Sequence, residues 1–480
     1  MGRWADHPAV AWVVAAAAFA IAMAGARPFA SSWNDGSRLA SVEALVERNT
    51  FCIDGTTFLR PSAELFDQGT PPYDPESPLL RSGTLDKLLI DGRYYSDKPP
   101  LVSVPLAVAY RAMMAFGLPS PSARPDVFAW VITVLLSGTG YAVAVGCMWR
   151  VGTRAGLAPA WRVAWFAAFA LATIAPAYTR SANNHITQLG AVAAVCVLLG
   201  RIADATAQGR TAWKSLVAAG FVTGFAYNLD FGVGPPLVAA VLAAVAFRTR
   251  SVLPVLVCAG SMLPCVIAGH AINFAIGGDW LRPLNMHPEY LAWPGSPFDT
   301  TMTGIIRPRL FAQFTYTLDL LFGRKGFLTH NPELLLAVPA GLLVLRRQGS
   351  DRVELIALSA WVVIGWLMYG VLSKNHSGGC VSVRWFVPFL APGFWLLAKV
   401  LTERPEFRRD FVALAAWGLP LAVSAFAVGP WWGRNVPFYW WVFGGSLITW
   451  GIVRYTAPRP NRNAQTIMLP GPTSSPARAA

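Results

Sequence analysis

Twelve apolar runs punctuate this 480-residue chain, starting near Ala9, Asp126, Trp161, Ile186, Trp213, Gly232, Ser251, Pro332, Val353, Arg384, Asp410 and Phe438. Each is close to the roughly 17–25 residues that cross the hydrocarbon of a bilayer. Backbone in lipid must satisfy its own hydrogen bonds, so runs of this kind predict helices. The fold class expected is an all-α polytopic membrane protein of about twelve transmembrane helices. Composition agrees: 54% of residues are hydrophobic and 13% are charged, about half the charged share of a soluble domain. A soluble globular chain is excluded. The net charge of +14 would point to nucleic acid in a soluble protein, but in a membrane protein it reports topology, and no nucleic-acid partner is expected. None of the six cysteines forms a CxxC pair, which excludes a zinc ribbon or a thioredoxin-like motif.

The connections Arg150 to Arg162, Arg201 to Lys214, Arg248 to Arg250, Arg346 to Arg352 and Arg404 to Arg409 are rich in arginine. Those between them, such as Asn228 to Phe231 and Trp431 to Pro437, are poor in it. This alternation assigns the arginine-rich side to the cytoplasm. A thirteenth run, Pro99 to Leu118, carries Arg111 in its middle, and an arginine at mid-span costs about 2.5–3.5 kcal/mol. This favours an interfacial helix, with both termini cytoplasmic, over a thirteenth span that would put Met1 outside and the loop from Arg27 to Lys98 in the cytoplasm. The expected segments are a first transmembrane helix over 1–26, an outer loop with juxtamembrane helices over 27–125, spans two to seven over 126–276, a second outer loop over 277–331, spans eight to twelve over 332–454, and a disordered cytoplasmic tail over 455–480.

The first loop has the content of a folded unit. Leu39, Val42, Leu45 and Val46 recur at helical spacing, with Arg38, Glu43, Glu47 and Arg48 opposite, predicting a short amphipathic helix with Asp35 at its N-terminus. An aspartate there is most often an N-cap. Two Asp-Gly turns, Asp54-Gly55 and Asp91-Gly92, each flanked by apolar or aromatic residues, predict hairpins. The loop closes on Tyr95-Ser96-Asp97-Lys98-Pro99-Pro100-Leu101, with the prolines pre-organised for a first helical turn. By itself Lys98 reads as a snorkelling interfacial lysine.

Two of these motifs carry a resemblance. Asp35-Gly36-Ser37-Arg38-Leu39-Ala40 resembles the opening of the first outer loop, and Ser96-Asp97-Lys98-Pro99-Pro100-Leu101 resembles the acidic-Lys-Pro-Pro-Leu motif, of GT-C fold polyprenyl-phosphate-sugar transferases such as the bacterial aminoarabinose-lipid A transferases and the protein O-mannosyltransferases. The resemblance implies a GT-C-like bundle whose Pro-Pro segment is a juxtamembrane helix. It implies Asp35 as the catalytic aspartate that activates the acceptor, and Lys98 as the lysine that contacts the donor phosphate. Gly36 and Leu39 depart from the motif, standing where relatives carry a second acid and an aromatic. In Arg180-Ser181-Ala182-Asn183-Asn184-His185, His185 stands where relatives place an aspartate. Missing those acids, the motifs do not support a divalent cation, and no cofactor is assigned.

Elsewhere, Arg384 follows the Gly-Gly turn of SKNHSGGCVSVRW, beside Lys374 and His376. It reads either as a phosphate-binding arginine or as an interfacial anchor. Arg38 is a further donor-phosphate candidate, and Tyr95, Asp97, Asn184, His185, Asp230 and His376 are candidate substrate contacts. Arg324 and Lys325 of the second loop face headgroups or acceptor, and His270 lies in the seventh run. Cys52 and Cys380 both fall in outer loops, which leaves a disulfide open. The expected function is inverting transfer of a sugar from a polyprenyl-phosphate donor to a lipid, glycan or protein acceptor, at the outer face of the bacterial cytoplasmic membrane. A transporter or flippase of a lipid-linked sugar is the alternative, but transporters gather ionisable groups at mid-membrane, and here they gather at the rim.

Overall fold

The computed structural model describes residues 7, 9–298, 310–347, 349–373, 375–431 and 438–456. The expected tail beyond 456, Lys374 and most of the Trp431 to Pro437 segment lie outside them. Every one of the twelve apolar runs forms a helix. Six described helices are each long and apolar enough to cross a membrane: Pro125–Arg154, Asn184–Ala207, Val252–Gly277, Arg352–Leu372, Arg384–Glu403 and Pro405–Val428. A seventh span arises if Leu310–His330 and Pro332–Leu345, bent by 111°, count as one. Ala9–Gly25 and Gly234–Thr249 are shorter apolar helices beside them.

Close approach holds the bundle together where lipid offers no hydrophobic drive between helices. A Cβ on Gly190 would lie 2.4 Å from the Gly140 carbonyl oxygen, so the Pro125–Arg154 and Asn184–Ala207 helices touch backbone to backbone. Gly220 and Gly224 press Trp213–Leu229 on Val252–Gly277 in the same way, 2.1 Å from the Cys258 oxygen and 2.5 Å from that of Met262. The arginine-rich connections are fastened by ion pairs. Arg154 bonds Asp204 and, at 2.6 Å, Asp351, while Arg248 meets Glu354 at 2.6 Å.

The first long loop has its own core. Leu39, Val42, Phe58 and Tyr73 pack with Tyr110 of the Ser103–Ala115 helix and with Phe128 at the start of Pro125–Arg154. The predicted helix forms over Trp33–Arg48, but it is not amphipathic toward solvent: Arg38 and Glu43 are 6% and 1% exposed. Arg38 and Glu43 turn inward, against the rest of the loop and the bundle, while Glu47 and Arg48 at the helix end stay exposed. Arg111 explains the interrupted thirteenth run. Its guanidinium donates to the carbonyls of Val46, at 2.9 Å, and Leu45, at 2.6 Å, at the end of Trp33–Arg48, where helix carbonyls run short of intrahelical donors.

One of the two predicted hairpins forms. Asp91 and Gly92, with φ of 48° and 77°, make the left-handed pair of a two-residue turn joining strands Lys87–Ile90 and Arg93–Ser96. Asp54-Gly55 turns the chain without pairing its own flanks. The residues ahead of it are taken by the other hairpin instead, Ile53 N–H donating to the Tyr94 carbonyl at 2.8 Å and Cys52 bridging Tyr95. Trp293 of the second long loop caps this sheet, with its indole N–H on the Lys87 carbonyl at 3.1 Å and the Lys87 ammonium over its ring at 4.5 Å. Cys52 and Cys380 are both free thiols.

Candidate active site

A cavity of about 950 Å³ opens where these parts converge. Its wall is made by the start of Trp33–Arg48, the base of the hairpin, the start of Asn184–Ala207, the end of Trp213–Leu229, the end of Arg352–Leu372 and the loop leading into Arg384. Asn184–Ala207 has its first turn at the cavity and Asp204, paired to Arg154, near its last. At 1.5 Å per residue, about 30 Å separates the cavity from that arginine-rich end. The site therefore lies at the arginine-poor end of the bundle.

Seven of the ten residues singled out in the sequence line this one cavity: Arg38, Asp97, Lys98, Asn184, His185, Asp230 and Arg384. Asn183 caps its helix by accepting the His185 N–H at 2.8 Å, which fixes Asn184 and His185 in the first turn. Asn184 then ties three elements together, accepting from Arg38 Nη2 at 2.6 Å and donating to the Leu229 carbonyl.

The cations differ in their surroundings. Lys98 Nζ sits 2.6 Å from Asp86 and 2.7 Å from Asp97, so it is already neutralised. Burial pushes the Asp97 carboxyl above its usual range, against the pull of Lys98. Asp86 was not anticipated, though the sequence holds its signal. A two-residue turn at Asp91-Gly92 pairs Lys87 with Ser96, which brings the residues just beyond them, Asp86 and Asp97, opposite one another. Arg38 and Arg384 form no ion pair among the described residues, and the Nε of each is buried without a hydrogen-bond partner. Burial lowers the Arg38 guanidinium to about 10, still charged at neutral pH. Arg384 rests over the Trp431 ring at 5.2 Å.

Opposite these arginines, His185 Nδ1 faces Asp230 Oδ2 at 3.4 Å. Asp230 Oδ1 accepts the Tyr369 hydroxyl at 2.7 Å and the Gly232 N–H at 2.8 Å. Tyr369 in turn stacks on Trp385, ring centroids 4.2 Å apart.

Three expected residues stand elsewhere. Asp35 is 1% exposed and is not on the cavity wall, although Ser32, Trp33 and Asn34 are. It is not the N-cap either. Ser32 takes that place, and Asp35 is its reciprocal partner in a capping box, accepting from Ser31 N–H at 2.9 Å, Ser32 N–H at 2.7 Å and Ser32 Oγ at 2.6 Å. Burial raises its carboxyl above the usual range, opposed by those hydrogen bonds. Tyr95 is spent in the hairpin, paired with Leu88. His376 is drawn aside to Asp319 and lies against the Tyr316 ring at 4.9 Å. Lys325 fastens the Gly-Gly turn, donating to the Gly378 carbonyl at 2.7 Å, and His270 is held by the Tyr227 hydroxyl at 2.8 Å. Among the described residues, no group of three or more His, Cys, Asp or Glu side chains is placed to hold a metal ion.

No protein-family model matches the chain, and no curated protein does. Solved structures do. ArnT from Cupriavidus metallidurans bound to undecaprenyl phosphate aligns with 92% of this chain and 76% of its own, at 14% identity and a TM-score of 0.50. Its apo state aligns with 93% and 77%, at 15% identity and a TM-score of 0.47. The apo oligosaccharyltransferase of Archaeoglobus fulgidus aligns with 94% and 56%, at 12% identity and a TM-score of 0.42. With its helical bundle, packed first loop and cavity at one end, the chain is a polytopic membrane protein of the GT-C fold.

Proposed function

We propose that this chain is an integral-membrane glycosyltransferase that moves a sugar from a polyprenyl-phosphate donor to an envelope acceptor. The observation that carries the reading is the pair of arginines, Arg38 and Arg384, that form no ion pair among the described residues and share one cavity at the arginine-poor end of the bundle. A buried guanidinium without a direct ion-pair partner is costly, and a phosphate supplies that partner bidentately. The structural neighbour ArnT was crystallised with undecaprenyl phosphate, which supports the same class of lipid here. The positive-inside pattern supports a cavity on the periplasmic face of the bacterial cytoplasmic membrane.

In this reading the acceptor oxygen attacks the anomeric carbon, inverting it, while the bond to the phosphate oxygen breaks. Charge builds on the departing lipid phosphate, and Arg38 and Arg384 stabilise it in a water-poor site, where such preorganised cations act most strongly. An anionic phosphate leaves without a protonating acid. Lys98, held between Asp86 and Asp97, sets the shape of the donor side. Asp35 fixes the first turn of the helix that positions Arg38.

Mass spectrometry of envelope glycans and glycolipids tests the function. Cells carrying Arg38→Ala/Arg384→Ala in place of the unmutated chain should lack one sugar substituent, and the missing mass names donor and acceptor together. Identical profiles would sink the proposal.

A further inference from the structure

The reaction needs a group that takes the acceptor's proton, and the cavity wall offers one arrangement built for it. Asp86 and Asp97 are engaged with Lys98. His185 has no such engagement. Its Nδ1 stands at ion-pair distance, 3.4 Å, from Asp230 Oδ2, and both atoms are buried without a hydrogen-bond partner. Asp230 is itself held from the other side by Tyr369 and the Gly232 N–H, so its carboxylate is aimed at one nitrogen of the ring. A carboxylate this close to one imidazole nitrogen favours the tautomer protonated on that side, which leaves the other nitrogen to accept a proton. His185 lines the cavity, with Nε2 as that second nitrogen.

We infer that His185, oriented by Asp230, is the proton acceptor of the transfer, an assignment that rests on the transferase reading above. As the acceptor oxygen bonds to the anomeric carbon, its proton passes to His185 Nε2. The electron pair of the breaking C–O bond leaves on the lipid phosphate, between Arg38 and Arg384. The imidazolium so formed stands beside the Asp230 carboxylate until it returns its proton to water. Asp230 is a positioning residue, acting through His185.

The test uses the full-length chain in detergent, with donor and acceptor supplied as a sugar-radiolabelled lipid extract of the source envelope and undecaprenyl phosphate as the binding probe. His185→Ala should keep undecaprenyl phosphate affinity within about threefold and lose about 100- to 10,000-fold in kcat, the range for general-base assistance. Added imidazole should restore part of that loss. His185→Gln, which fills the same space and cannot take the proton, should be equally slow, and Asp230→Asn should lower kcat with KM for the donor unchanged. Transfer by His185→Ala or His185→Gln within threefold of the unmutated chain overturns the assignment and leaves the transferase reading standing. An unmutated chain that neither binds undecaprenyl phosphate nor transfers label overturns both.

Discussion

Lys98 and Arg384 stand on the wall of the same cavity, and both were expected to meet the donor phosphate, yet their surroundings are opposite. Lys98 has two carboxylates within 2.7 Å. Arg384 has an aromatic ring beneath it and no carboxylate partner among the described residues. The difference teaches that a motif cation is free to bind an anion only when the fold has not already supplied one. Arg384→Ala should therefore have the largest effect on ligand binding. Undecaprenyl phosphate affinity, measured by scintillation proximity, should fall at least about 100-fold, within the roughly 2–5 kcal/mol cost of truncating a buried charge contact. Melting temperature should stay level or rise, because a cation without a direct ion-pair partner has been removed. Unchanged affinity would break the comparison.

Lys98→Ala should give the opposite pattern. It leaves Asp86 and Asp97 facing each other without their cation, and breaking a mostly buried pair costs about 3 kcal/mol. Undecaprenyl phosphate affinity should fall less than about tenfold. The pH dependence follows from Asp97, whose carboxyl burial already raises and Lys98 pulls down. Without the lysine its folded value climbs further above the unfolded one. The stability is then present at low pH and lost as pH rises, so the variant should recover on acidification. Asp86→Asn/Asp97→Asn in the same chain should restore the melting temperature, and failure to do so would mean the lysine stabilises by packing.

How much of this was legible follows from what each residue type reports. Apolar runs are set by the thickness of a bilayer, so every one of the twelve is a helix. Asn184, His185, Asp230 and Arg384 meet because each lies at the arginine-poor end of a bundle helix, which charge patterning reveals, and the first-loop helix brings Arg38 to them. Partner choice was not legible. Asp54-Gly55 has the composition of a hairpin turn, but its leading flank pairs with Tyr94 and Tyr95 from a different turn. The inward-facing Glu43 was missed for a related reason: its partners, Thr57 and Phe58, come from later in the loop. The cap, by contrast, was legible: Ser32-Trp33-Asn34-Asp35 has the Ser-x-x-Asp pattern of a capping box, which gives the cap to the serine and the reciprocal place to Asp35.

Glu43 sharpens the comparison as a third case, a buried charge in the same loop held by hydrogen bonds alone. It accepts from Thr57 N–H at 2.7 Å, Thr57 Oγ1 at 2.8 Å and Phe58 N–H at 3.4 Å. Burial lifts its carboxyl from 4.5 to about 7. A folded value above the unfolded one means stability that is full below the unfolded value and lost as pH rises through the folded one. The slope approaches about 1 kcal/mol per pH unit just below pH 7. Glu43→Gln should flatten the melting temperature between pH 5 and pH 8, and an unchanged slope would place the titrating group elsewhere.

Asp35→Asn should have the smallest effect, and it decides whether the motif's aspartate works through chemistry or through structure. Both carboxylate oxygens are occupied, one by Ser31 N–H and the other by Ser32 N–H and Oγ. An asparagine can offer an acceptor to one side only and turns an NH2 donor toward a donor on the other. Loss of such a cap costs about 1 kcal/mol. The first turn should loosen, and Arg38, one turn further along the same helix, should be held less firmly. The expected outcome is a melting temperature lower by a few degrees and a kcat reduced less than about tenfold, well short of the loss expected for His185→Ala. A loss of more than about 100-fold at an unchanged melting temperature would return the proton to Asp35 and reduce His185 to a wall of the cavity.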